Sequence, residues 1–167
     1  MQSTILQNLA ILSAERDKQG LRPVFEALAA NLNTQPLATA GLVIKAGGGT
    51  LAKTGSTAYY ATVGGRLVTI AGATDMPALT GLSISAHAFN VACFFVNAAS
   101  TVSVKFGTEG AALGSVKFPD FPLDNALVGF LIITHSAAFT GGTTALDTAT
   151  TVYVSPVGAF DPTVLFS

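Results

Sequence analysis

The stretch from Ala88 to Phe106, AFNVACFFVNAASTVSVKF, constrains the fold more than any other part of the chain. Before its Asn97-Ala98-Ala99-Ser100 break, Val91, Cys93 and Phe95 alternate with Ala92, Phe94 and Val96, so both faces of that strand are apolar. After the break, Val102, Val104 and Phe106 alternate with Thr101, Ser103 and Lys105, the period-two pattern of a strand with one wet face. A doubly apolar strand beside a half-polar one predicts a two-layer β protein with this hairpin as its scaffold. If both faces of the first strand are covered within one subunit, the layers close on themselves. If one face meets another chain, the hairpin is itself an assembly surface.

The rest of the chain divides at Pro36. Residues 3 to 33 form the one helical region, with Ser3 or Thr4 able to cap its start and Ile5, Leu9 and Leu12 on one face. Gly20 interrupts it, and a second helix resumes with Pro23 in its first turn and an apolar stripe of Leu21, Val24, Phe25, Leu28 and Leu32. Residues 1–35 therefore read as a helical segment, either packed on its own β domain or serving as an anchor or oligomerisation stalk, and residues 36–167 as the β domain. Beyond Pro36, turns recur about every ten residues, the spacing of an all-β sandwich or barrel. Strands are predicted at 42–46, 57–63, 66–71, 88–96, 101–106, 115–118, 127–134 and 151–155, with Gly64-Gly65 as a tight hairpin turn. The expected fold is mainly β, an antiparallel sandwich or jelly roll of about eight strands with a short N-terminal helical segment.

Charge narrows the function classes. Charged residues make up 10% of the 167 residues, against about 25% in an ordinary soluble domain. Six of the 17 charges fall in the first 26 residues, which leaves the β region covered by Thr, Ser, Ala and Gly. At a net charge of −1 such a surface has little electrostatic protection against association, so much of it is expected to be covered by copies of the chain or by a partner. Lys45, Lys53, Arg66, Lys105 and Lys117 are scattered, which argues against nucleic acid. The longest apolar runs, VACFFV and ALVGFLII, are far short of the roughly 20 residues of a membrane span, and the first residues lack the basic start of a signal peptide.

No residue pattern names a reaction. Gly47-Gly48-Gly49-Thr50-Leu51-Ala52-Lys53-Thr54 falls one residue short of a phosphate-binding loop: Ala52 stands where that loop needs Gly, and a strand follows where it needs a helix. Cys93, the only cysteine, sits among apolar neighbours and reads as a buried hydrophobe. His87 and His135 flank strands without a second ligand at metal spacing. Asp75, Glu109, Asp120, Asp124, Asp147 and Asp161 lie in predicted loops, where an acid favours a turn by bonding its own backbone. No catalytic, cofactor or metal residue is assigned. Pro-bounded apolar stretches around Phe121 and Phe160 read either as plugs under loops or as subunit contacts. The candidate interface residues are Ile5, Leu9, Leu12, Leu21, Phe25, Leu28, Phe121, Phe160 and Phe166.

The segment KAGGGTLAKTGSTAYYATVGGRLVTIAGATDMPAL, Lys45 to Leu79, together with the terminal VGAFDPTVLF, resembles small virion proteins of tailed bacteriophages, of the capsid decoration (cement) or head-fibre type. In those proteins an N-terminal segment precedes a β-sandwich. The resemblance implies a non-enzymatic homo-oligomer, often a trimer, bound to the major capsid protein or another virion protein. It carries no family site residue over to this chain. A tail-fibre part or a carbohydrate-binding adhesin domain is the alternative, although the chain has no Trp and only three Tyr.

Overall fold

The structure, a computed structural model, describes residues 33–160 together with Phe25 and Ala29. The helical reading of residues 3 to 33 lies outside the described residues, apart from Phe25, Ala29 and Asn33, which are helical. Eleven strands run through the described residues: β1 (Gln35–Pro36), β2 (Val43–Ile44), β3 (Ala52–Lys53), β4 (Tyr59–Val63), β5 (Arg66–Ile70), β6 (Ser83–Ile84), β7 (Phe89–Asn97), β8 (Val102–Phe106), β9 (Asn125–Thr134), β10 (Phe139–Thr140) and β11 (Thr150–Val154). All pairings between them are antiparallel. The fold is thus mainly β, as the turn spacing and alternation predict.

The first strand of the predicted hairpin, β7, lies inside the larger sheet, whose order is β11-β9-β7-β8, and the second, β8, forms one of its edges. Ala92, Phe94 and Val96 on one face of β7 share a core with Val128, Leu131 and Ile133 of β9 and with Tyr59, Ala61, Val63, Val68 and Ile70 of the facing β1-β4-β5 sheet. Two antiparallel sheets therefore enclose one core as a sandwich. Tyr59 crosses it: its hydroxyl donates to the Leu127 carbonyl at 2.9 Å. The opposite face of β7, Val91, Cys93 and Phe95, packs with Leu127, Phe130 and Val116 under the loops that carry Phe118, Phe121 and Phe160. Both faces of β7 are covered inside a single chain, which answers the question the sequence left open.

Two local features explain how β9 and β4–β5 hold their register. A bulge between Phe94 and Phe95 sets Val128 and Gly129 against one residue of β7, so Leu127 and Phe130 both keep the second core face. Gly129 is required there, since a Cβ on it would stand 2.5 Å from the Val154 carbonyl oxygen. Gly64 and Gly65, with φ of 58° and 77°, make the two-residue turn that the sequence predicts.

Other expectations are corrected. Residues 115–118 do not form a strand: Leu113–Ser115 is a 3-10 turn, and Lys117 alone bridges Thr108. The Ser115 hydroxyl accepts from the Ala112 amide and donates to the Ala112 carbonyl, which commits that residue to the turn. The count of about eight strands rises because β1, β3, β6 and β10 are two residues each, too short to show a period. Gln35, read as the end of the helical segment, begins β1 opposite Thr62.

Candidate functional site

Among the described residues, the chemistry-bearing side chains do not converge into a reactive centre. Cys93 is buried, and desolvation raises its thiol well above the ordinary value, so the thiolate a nucleophile needs is disfavoured. His87 and His135 do meet, as the sequence alone did not reveal: the His87 amide donates to the His135 carbonyl at 2.8 Å, and His87 has a φ of 62°. The ring of His135 is tied to its own loop through Nδ1 and the Ala137 backbone. Among the described residues, no group of three or more His, Cys, Asp or Glu could hold a metal ion.

Three of the loop acids, Asp75, Glu109 and Asp147, bond across the fold rather than to their own turns, a second correction. Asp147 accepts from the Gly48 amide at 2.6 Å, and Leu146 donates to the Gly49 carbonyl. A carboxylate thus occupies the glycine loop whose amides a phosphate site would need, and the loop leads into β3, paired with β2, rather than into a helix. Asp75 pairs with Lys45, and Glu109 takes both the amide and the hydroxyl of Ser85.

Phe121 and Phe160 are half-buried and sit in an aromatic cluster on their own chain. Phe121 meets Phe95 edge-on with centroids 5.1 Å apart, Phe160 lies 5.3 Å from Phe130, and Phe118 contacts Phe121, Phe130 and Phe160. They plug the second core from the loop side. Between these two loops lies a cleft of about 290 Å³ of mixed polar and apolar lining, bordered by Thr34, Pro36, Phe121, Leu123, Asn125 and Phe160. Phe25 is 50% exposed. Ile5, Leu9, Leu12, Leu21, Leu28 and Phe166 lie outside the described residues.

The surface that sequence reading missed is the outer face of the β1-β4-β5 sheet. Register places Leu37, Tyr60 and Thr69 in one row and Gln35, Thr62 and Leu67 in the next, all pointing away from the core. None of these six is charged, and Leu37, Tyr60 and Leu67 are 47%, 42% and 61% exposed. The signal was present. With the Gly64-Gly65 turn fixing the register, alternation sends Tyr59 and Val68 inward and therefore Tyr60 and Leu67 outward. No family model, no curated protein and no solved structure matches the chain.

Proposed function

We propose that this protein is a non-enzymatic structural protein of a tailed bacteriophage that decorates or stabilises the capsid as a homo-oligomer, in contact with the major capsid protein or another virion protein. One observation carries the assembly half of this reading: a sheet face holding Leu37, Tyr60 and Leu67 with no charge among its six outward residues. A face of that kind associates, because little opposes its burial and each apolar side chain gains roughly 25 cal/mol per Å² removed from water. The virion half rests on the resemblance of residues 45–79 and of the terminal VGAFDPTVLF. A chain that binds only the assembled shell would stabilise it by mass action.

Mass spectrometry of gradient-purified tailed-phage particles from the host that encodes the chain is the test. The chain should co-purify at many copies per particle and fall away with disrupted shells. Its absence from intact particles would end the virion reading. A second reading, a glycan-binding adhesin, draws on the exposed ring of Tyr60, which could stack on a sugar. Glycan-array binding lost in Tyr60→Ala would favour it over capsid decoration.

A further inference from the structure

The β4–β5 hairpin determines which backbone groups of β5 look outward. A two-residue turn makes Val63 and Arg66 a hydrogen-bonded pair, and bonded and non-bonded pairs then alternate along the ladder. Arg66, Val68 and Ile70 therefore direct their N–H and C=O groups to β4, and Leu67 and Thr69 direct theirs away from it. The other side of the hairpin agrees. Tyr60, opposite Thr69, turns its carbonyl from β5 to accept from Leu37 at 2.9 Å and Ala38 at 3.2 Å. Among the described residues, no backbone hydrogen bond reaches the N–H or C=O of Leu67 or Thr69. Both residues are exposed.

Open edges are normally guarded by Lys, Pro, a bulge or a covering loop. The edge strand β8 carries Lys105 as the fourth of its five residues. β5 has an unbroken register with β4, no Pro, and a single charge, Arg66, at its first position.

We infer that two copies of the chain pair through β5, antiparallel, about a twofold axis at Val68. In that register Leu67 faces Thr69 of the second copy and Thr69 faces its Leu67, and each pair exchanges two N–H···O=C bonds, so every outward backbone group of the edge is satisfied. The occupant is a second copy because the strand is complementary to itself. Arg66 falls opposite Ile70 of the second copy, and the two arginines lie roughly 13 Å apart along the ribbon, so no like charges oppose one another. An isologous contact of this kind closes at two copies and leaves neither β5 edge open. It also joins the outward rows of Leu37, Tyr60 and Thr69 to those of Gln35, Thr62 and Leu67 across the axis, which gives one uncharged face spanning both copies. The inference rests on the self-association part of the proposed function and names the surface that carries it.

Light scattering behind size exclusion on the full chain tests it, comparing the native protein with Leu67→Pro and Thr69→Lys. Proline removes one outward donor without touching a β4–β5 bond, and lysine guards the edge from the exposed face. Circular dichroism establishes that each variant is folded. An even multiple of 16.9 kDa that halves in both folded variants supports the pairing. An even-numbered native assembly that keeps its mass in folded Thr69→Lys and Leu67→Pro overturns the β5 edge, and an odd-numbered assembly overturns the twofold axis; both leave self-association standing. A native monomer at micromolar concentration overturns self-association itself.

Discussion

The two large sheets of this molecule use the same residue types to opposite ends. In the β11-β9-β7-β8 sheet, the central strands β7 and β9 are buried on both faces, one under the facing sheet and the other under a phenylalanine-rich pair of loops. In the β1-β4-β5 sheet, one face is buried and the other presents Leu37, Tyr60 and Leu67 to solvent beside an edge that no described residue pairs. The difference separates what holds the subunit together from what is left for assembly. A scaffold strand as apolar as β7 is satisfied within one chain, so the self-association proposed above is assigned to the outer sheet.

The largest effect should come from breaking the closed side. Phe94 is fully buried between the sheets, so Phe94→Ala should lower stability by about 3–5 kcal/mol, read as a shift in urea midpoint. An effect under 1 kcal/mol would mean the core is not closed as described.

Alkaline titration probes the same core without mutation. Burial raises both the Cys93 thiol, ordinarily at 9.0, and the Tyr59 phenol, ordinarily at 10.0. Each folded-state value lies above the unfolded one, so the stabilisation is complete below about pH 9 and declines as pH rises, because the unfolded chain releases these protons first. The loss should be about 1.4 kcal/mol per pH unit for Cys93 above pH 9, and as much again for Tyr59 above pH 10. Urea midpoints measured from pH 8 to 11 should fall along that course, and Cys93→Ala should remove the earlier part.

A smaller effect sharpens the link between the sheets. Tyr59→Phe keeps the ring and deletes the hydroxyl that donates to the Leu127 carbonyl, and should cost about 1 kcal/mol. Smallest of all, Leu67→Ser on the bare face should change the stability of the isolated subunit by less than about 0.5 kcal/mol, measured by urea midpoint at high dilution.

Much of the architecture was legible because it rests on local periodicity. The two-faced apolar run of β7, the half-polar β8 and the Gly64-Gly65 turn each declare themselves within a few residues. What escaped depends on partners distant in sequence. Pro36 reads as a chain breaker but sits in an edge strand, where it loses no ladder donor that β4 requires, and its carbonyl accepts from Gly158. Ser115 looks like the start of a strand until its hydroxyl is seen closing a turn on Ala112. Phe121 and Phe160 carried the same apolar signal whether they plugged their own chain or met another, and only the rings of Phe95 and Phe130 beneath them show where they pack. The outer face was within reach of alternation, but Tyr60 and Leu67 gain meaning only once the facing sheet fixes which side is the core.

Hydrogen exchange at individual amides, followed as a function of protein concentration, tests the division of labour between the two sheets most directly. Amides of β7 and β9 should be strongly protected at every concentration, since their bonds lie within one chain. The amides of Leu67 and Thr69 should exchange rapidly in dilute solution and become protected as concentration rises. Protection of Leu67 and Thr69 that does not depend on concentration, or protection of β7 that does, would contradict the account.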